Sequence, residues 1–232
     1  MEINANFIYF LLLLCVITFT LLYFETGKFR HKMTTSSFYY IAIAFVCFLI
    51  LYMTMFSDES QLKCIIAGKN GNRYCIRDRD PKKLQKAANT LASVVEKCKT
   101  LANYMNLTHP NDDRIKRLMI GFNPQKISET LPTSELTAFT ENKGQKMAFC
   151  LNRKKEDDNQ IIDQDTLFFV AMHEMSHIMN EGIGHKSDFW ETFKFLLENA
   201  KKSGIYKPVD YKKNPAEYCG QTINDNPLYD YT

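Results

Sequence analysis

Two long uncharged runs dominate the hydrophobic pattern at the start of this chain. Residues 7–24 and 38–56 contain no Asp, Glu, Lys or Arg. A helix of about 20 apolar residues can cross a bilayer, and runs of this kind are typical of transmembrane helices. The short segment before the first run has no Lys or Arg, and no cleavage site of small residues follows, so a signal peptide is not favoured. The pattern predicts a membrane anchor at 1–57 with two transmembrane helices, 7–24 and 38–56.

The charges beside these runs bear on topology. Lys28, Arg30 and Lys32 lie between the runs, whereas the residues before the first run include no basic side chain. Positive loops stay in the cytoplasm, so the large C-terminal part is expected to be extracytoplasmic, lumenal or exposed at a virion membrane. Basic residues after the second run, Lys63 and Lys69 among them, argue for the opposite orientation. In both cases the prediction is a multi-pass integral membrane protein with membrane lipid as a partner.

Beyond residue 57, the apolar positions follow the alternation and periodicity of a folded domain. Residues 64–78 predict a β-hairpin with Asn70-Gly71 at its turn. Asp80 and Pro81 are typical of a helix start, and apolar residues then recur every three or four positions as far as Met105. The other expected elements are a helix at 112–120, strands at 136–140 and 145–151, and helices at 165–181 and 188–203.

The charge composition of the chain bears on whether it binds nucleic acid. The chain has 29 Lys and Arg against 26 Asp and Glu, so its net charge is only +3. Binding to nucleic acid normally needs a clustered basic face, and none is evident here. The sequence therefore predicts no nucleic-acid partner.

The motif H-E-x-x-H, at His173, Glu174 and His177, is the clearest sign of chemistry. On a helix, two histidines four residues apart leave the same face and can share a metal ion. An apolar stripe on the opposite face would bury the helix against a core; its members are Phe168, Met172, Met175 and Met179. The motif alone occurs by chance in many proteins. However, three of the five histidines of the chain fall between 173 and 185, which favours a metal site.

His185 is the best candidate for a third metal ligand. Gly182 and Gly184 give the chain the freedom to turn back toward the metal. Glu191 and Glu198, on the next helix, are the alternatives, because a glutamate takes this place in some related sites. The simpler interpretation is that Glu191 caps the helix and that Glu198 is a solvated charge on it.

Residues 173–190 (HEMSHIMNEGIGHKSDFW) resemble the zinc-binding segment of the WLM, SprT-like and YgjP-like group of minimal zincins. Residues 206–220 (YKPVDYKKNPAEYCG) resemble the C-terminal stretch of WLM-type proteins encoded by large DNA viruses. The gap between the second and third histidines is two residues longer here than the five-residue gap of that pattern. The resemblance covers about residues 75–230.

That resemblance implies an α+β fold: a zincin-like metallopeptidase domain at 58–232, with a small antiparallel or mixed sheet and the H-E-x-x-H helix. It also implies Zn2+ held by His173, His177 and His185, with Glu174 as the catalytic base. The expected activity is that of a membrane-anchored zinc peptidase that cleaves protein or peptide substrates with a zinc-bound water. The alternative is a non-enzymatic membrane or virion component that keeps a zincin fold for binding. A DNA–protein crosslink protease is less favoured, given the near-neutral domain.

Three further details are left open by the sequence. The strand at 145–151 is a candidate for pairing with an extended substrate. Tyr206, Tyr211 and Tyr218 are candidate donors to an oxyanion. No C-x-x-C motif occurs, so a structural zinc site is not expected, and Cys64–Cys75 is the favoured disulfide if the domain lies outside the cytosol.

Overall fold

The structure is a computed structural model that describes residues 45, 46, 48, 49, 52, 62–155, 157 and 160–229. Contacts divide the chain into two units, Met1–Met55 and Phe56–Thr232. The fold described below is that of the second unit. Its elements, in chain order, are β1 (Leu62–Ile66), β2 (Arg73–Arg77), α1 (Pro81–Thr108), α2 (Asp113–Gly121), β3 (Ile127–Glu129), β4 (Ala138–Glu141), β5 (Lys146–Phe149), α3 (Gln164–Met179), α4 (Ser187–Lys202), β6 (Ala216–Tyr218) and β7 (Gln221–Ile223).

The predicted hairpin and the long helix after it are confirmed. Strands β1 and β2 pair antiparallel, and their turn contains Gly71, whose φ of 72° suits glycine. Cys64 lies opposite Cys75 in this ladder, and the two form a disulfide. The side chain of Asp80 then caps α1 by accepting a hydrogen bond from the main-chain nitrogen of Lys82. The apolar stripe of α1 is buried against α3.

A mixed sheet of three short strands lies beside this helical core. Its order is β3-β5-β4, with β3 parallel and β4 antiparallel to β5. Strand β5 is central, so neighbouring strands already occupy both of its edges. The prediction that the strand at 145–151 pairs with substrate is therefore wrong, because the edge strands of this sheet are β3 and β4.

A buried ion pair fixes β3 beside β2. Both carboxylate oxygens of Glu129 accept hydrogen bonds from the guanidinium of Arg79, and the side chains of both residues are fully buried. One of these oxygens also accepts from the main-chain nitrogen of Arg77, at 2.8 Å. Buried charges are tolerated when they are paired in this way. The cluster holds the first hairpin against the sheet.

Helix α3 is the centre of the packing. It contacts α1, α2, α4 and strand β4, and most of its residues are buried. The last described part of the chain adds a second hairpin, β6–β7, whose turn residues Cys219 and Gly220 both have positive φ. A disulfide from Cys219 to Cys150 ties this turn to the end of β5. Neither this hairpin nor its disulfide was predicted from the sequence.

The prediction of two transmembrane helices, at 7–24 and 38–56, finds no support in the described part of the chain. The run at 7–24 lies outside the described residues, as does the run at 38–56 apart from five helical positions. Among the described residues, no helix is both long and apolar enough to cross a membrane. Helix α1 has 28 residues, but charged side chains such as Lys82 and Lys86 stand exposed on it, and hydrocarbon does not accommodate them.

Two further expectations depended on those transmembrane helices. The predicted membrane-lipid partner and the integral-membrane localisation lose their support together with the spans. The mixed α+β character of the fold is confirmed, with four α-helices, a three-stranded sheet and two hairpins among the described residues from 62 to 229.

Candidate metal centre

The H-E-x-x-H motif lies on α3, as predicted, and the helix is fixed at both ends. Asp163 caps its start by accepting hydrogen bonds from the main-chain nitrogens of Asp165 and Thr166. The sequence analysis placed the start nearer Asp165. At the other end, the main-chain nitrogen of Asn180 donates to the carbonyl of Ser176. The predicted apolar stripe is fully buried: Phe168, Met172, Met175 and Met179.

The structure brings His173, His177 and His185 together. Nε2 of His185 lies 2.9 Å from Nε2 of His173 and 3.1 Å from Nε2 of His177. The ring of Phe189 contacts all three imidazoles, with centroid distances of 4.9, 4.4 and 4.7 Å. Three nitrogens from two separate elements therefore converge on one place, above an aromatic floor.

The chemistry of these donors fits a metal ion. Burial, together with the smaller effect of the neighbouring imidazoles of His177 and His185, lowers the pKa of His173 to about 3. Burial likewise lowers the pKa of His177 to about 4, so both rings are neutral near pH 7. A neutral imidazole has one N–H, so Nε2 of His185 can donate to only one of the two nitrogens that it faces. A cation would satisfy all three lone pairs at once, and the cluster can bind a metal.

The loop between α3 and α4 carries His185 back toward the helix. Gly184 has a φ of 80°, a left-handed conformation that side chains disfavour. Nε1 of Trp190 donates to the carbonyl of His185 at 3.2 Å. Asp188, in the first turn of α4, accepts a hydrogen bond from the side chain of Asn180, and α4 begins without a side-chain cap.

The alternative ligands do not join this cluster. Glu191 is exposed and Glu198 is half-buried on α4. In the part of the chain that the structure describes, the grouped metal-ligating side chains are the three histidines alone. The structure therefore agrees with the interpretation of Glu191 and Glu198 as ordinary helix residues.

Glu174 faces the same cleft as the histidines. It is 5% exposed, and its Oε2 accepts a hydrogen bond from Oγ1 of Thr140 on β4, at 2.8 Å. Burial raises the pKa of Glu174 to about 7, and the hydrogen bond from Thr140 opposes this rise. A cation at the three histidines would favour the ionised carboxylate.

The cleft has a volume of about 980 Å³. It is lined by residues 137–140, by the three histidines and by Glu174. Its apolar lining comes from α3, α4 and the last part of the described chain: Phe169, Val170, Trp190, Phe193, Ile223 and Pro227. The cleft therefore combines ionisable side chains with an apolar surface.

The structure separates the three candidate tyrosines. Tyr206 and Tyr211 are buried beside Phe169, at ring-centroid distances of 6.5 and 4.9 Å. Tyr218 lines the cleft, but its hydroxyl accepts a hydrogen bond from the nitrogen of Cys150 and donates one to the carbonyl of Thr137. The single hydroxyl proton of Tyr218 is thus used by the main chain, so none of the three has the position of an oxyanion donor.

Comparisons with known proteins place the chain among viral relatives. No protein-family model matches it. An uncharacterized protein of Acanthamoeba polyphaga mimivirus is 29% identical over 192 residues, which is 81% of this chain and 93% of that protein. An uncharacterized protein of Invertebrate iridescent virus 6 is 36% identical over 83 residues, which is 35% of this chain and 44% of that protein. These similarities agree with the expected resemblance to virus-encoded proteins.

Among solved structures, the chain is similar to Wss1 from Saccharomyces cerevisiae. The sequences are 18% identical, the TM-score is 0.43, and the match covers 60% of this chain and 99% of that chain.

Proposed function

We propose that this chain is a zinc-dependent peptidase that hydrolyses peptide bonds of protein or peptide substrates. The proposal assigns the metal to His173, His177 and His185 and the role of general base to Glu174, within a zincin-like domain at 58–232. The observation that carries it is the convergence of three imidazole Nε2 atoms beside a buried carboxylate in one open cleft.

The donor set favours zinc among the common metals. Three neutral imidazoles suit zinc, whereas magnesium and calcium prefer oxygen ligands. Three protein ligands are also the number found in catalytic zinc sites, which keep a position open. When bound, zinc supplies Lewis acidity, because it polarises a carbonyl group and lowers the pKa of water.

Glu174 is the residue that moves protons in this proposal. Thr140 holds its Oε2, which leaves Oε1 to take a proton from the attacking water and to pass it to the leaving amine. The low exposure of Glu174 keeps bulk water from competing for these bonds. The carboxylate needs no movement of α3 to act, because it lies in the same cleft as the histidines.

The edge of β4 offers a place for the substrate main chain. Hydrogen-bonded and non-hydrogen-bonded pairs alternate along an antiparallel ladder, and the carbonyl of Thr137 accepts from the nitrogen of Cys150. By this alternation, the main-chain groups of Ala138 and Thr140 point away from β5 and into the cleft. No strand pairs with this side of β4 in the described part of the chain. An extended peptide can add itself there as a further strand.

The decisive experiment combines metal analysis with Glu174→Gln in the full-length chain. The parent is expected to bind one zinc per chain and to cleave a mixture of unstructured peptides, with products identified by mass spectrometry. Glu174→Gln removes the base but no ligand, so it should keep zinc and lose cleavage by at least a hundredfold. Glu191→Gln is the matched control and should retain both.

Each failure has a distinct meaning. A parent chain that takes up no zinc, even when zinc is added, contradicts the metal assignment. A zinc-loaded parent that cleaves nothing favours the binding protein that was the alternative from the sequence. Equal cleavage by Glu174→Gln and the parent shows that Glu174 is not the base.

A further inference from the structure

Lys143 makes an unusual set of contacts at the end of α3. It lies in the turn between β4 and β5 and has a φ of 56°, in the left-handed region. Its Nζ lies 3.2 Å from the carbonyl oxygen of His177, 2.7 Å from that of Asn180 and 2.9 Å from that of Gly182. One side chain therefore joins the last turn of the metal-site helix to the first part of the loop that leads to His185.

These contacts use the full donor capacity of Lys143. An ammonium group has three N–H donors, and three carbonyl oxygens accept from it here. The last carbonyls of a helix lack partners within the helix and carry its negative dipole end, so a cation is favourable at this place. Although Lys143 lines the cleft, it has no donor left for a substrate. The contacts of Lys143 are therefore structural, and they connect the end of α3 to the loop.

The turn that carries Lys143 is itself held in place. A Cβ atom on Gly121, at the end of α2, would lie 2.2 Å from the carbonyl oxygen of Lys143, and one on Gly144 would lie 2.3 Å from the carbonyl oxygen of Gly121. Main chain therefore touches main chain between α2 and this turn. Arg117 of α2 adds a second tie, because its Nε donates to the carbonyl of Met179 at 2.6 Å. Lys143 thus reaches the loop from a fixed base.

Glu181 accepts a hydrogen bond from Nη1 of Arg117 at 2.8 Å, but beyond Glu181 the loop has little else to define its path before His185. Gly182 and Gly184 lack side chains, and Ile183 between them is 87% exposed. Gly182 is the residue of the loop that Lys143 holds, and the main chain of His185 is held only three residues later, by Trp190. Small errors in direction at Gly182 would therefore displace the imidazole of His185 from the other two.

We propose that Lys143 is a positioning residue for the third metal ligand: by fixing Gly182 to the end of α3, it sets the path that brings Nε2 of His185 to His173 and His177. This inference rests on the proposed metal site. It concerns metal affinity rather than the chemistry of hydrolysis, so it can be tested without a substrate.

The test is a double-mutant cycle on zinc affinity in the full-length chain, with Lys143→Met and His185→Ala. Lys143→Met alone should weaken zinc binding ten- to a hundredfold, the range found when groups that orient ligands are lost. In the His185→Ala background, the same change should have no further effect, because the ligand that it positions is gone. With Co2+ in place of zinc, the visible absorption spectrum of Lys143→Met should shift toward that of His185→Ala.

Lys146→Met is the control, since Lys146 lies on the same hairpin and contacts the ring of Phe139; it should bind zinc like the parent. If Lys143→Met does not fold by circular dichroism, Lys143→Gln replaces it in the same cycle, because it loses the charge and the reach to Gly182.

The inference is overturned by unchanged zinc affinity in Lys143→Met, by additive losses in the double mutant, or by an equal loss in Lys146→Met. A parent chain that binds no zinc would instead refute the proposed function. The two failures are therefore distinguishable.

Discussion

The two disulfides should contribute unequally to stability, and the difference can be calculated from the chain. Cys150 and Cys219 are 69 residues apart in sequence, whereas Cys64 and Cys75 are separated by 11. A disulfide limits the conformations of the unfolded chain, and it does so more for a longer loop. The loop-entropy relation gives about 4 kcal/mol for the first disulfide and about 3 kcal/mol for the second.

The perturbation is a pair of double variants, Cys150→Ala with Cys219→Ala, and Cys64→Ala with Cys75→Ala. Alanine is chosen because Cys150 and Cys219 are buried, and a serine hydroxyl there would lack a guaranteed partner. Urea unfolding gives the free energy of unfolding of each, followed by the fluorescence of Trp190, which is the sole tryptophan of the chain. The first variant should lose more stability than the second, by about 1 to 2 kcal/mol.

A strong reductant provides the internal control. When both disulfides are reduced, the parent and the two variants should converge, because all three chains then lack cross-links. Equal losses under oxidising conditions, or a larger loss for the Cys64–Cys75 pair, would refute the reasoning. The loop-entropy account would then be the wrong description of this chain.

Three further predictions follow from the site and the core. His185→Ala should weaken zinc binding by orders of magnitude in a competition titration with a chelator, whereas Glu191→Ala should leave it unchanged; the reverse result would exchange their roles. Thr140→Val should lower kcat of peptide cleavage about tenfold with little change in KM or zinc content, because the substitution frees Oε2 of Glu174. Thr140→Ser should restore kcat, and a change in KM alone would contradict this prediction. Glu129→Ala should lower the free energy of unfolding by about 3 to 5 kcal/mol in urea, because it leaves a buried guanidinium without its partner, and a loss under about 1 kcal/mol would contradict the buried pairing.

Local sequence signals predicted the central elements well. The Asp80-Pro81 start, the apolar stripe of α1 and the opposed faces of α3 all depend on residues a few positions apart, and such patterns are readable without tertiary information. The structure places His173, His177 and His185 in one cluster, as the motif and its two glycines suggested. The roles of these residues in metal binding and catalysis stay predictions.

Features that depend on distant residues were out of reach. The pairing of Cys150 with Cys219 spans 69 residues, and nothing local selects it over other partners. Strand β3 has only three residues, too few for an alternation to be recognised. The contacts of Lys143 with the end of α3 and the loop that follows it join positions 34 to 39 residues apart. The predicted transmembrane helices rest on hydrophobicity alone, and no helix among the described residues is long and apolar enough to cross a membrane.

The short open edge of β4 has a consequence for the shape of any substrate. The strand has four residues, which at about 3.4 Å each span roughly 14 Å. A segment that pairs with it must offer free N–H and C=O groups over that length. Strands and helices of a folded protein have already committed those groups to their own partners. A peptidase that works through this edge would therefore spare native domains and cut tails, linkers and unfolded chains, so that the folding state of a target, more than its sequence, decides whether it is cleaved.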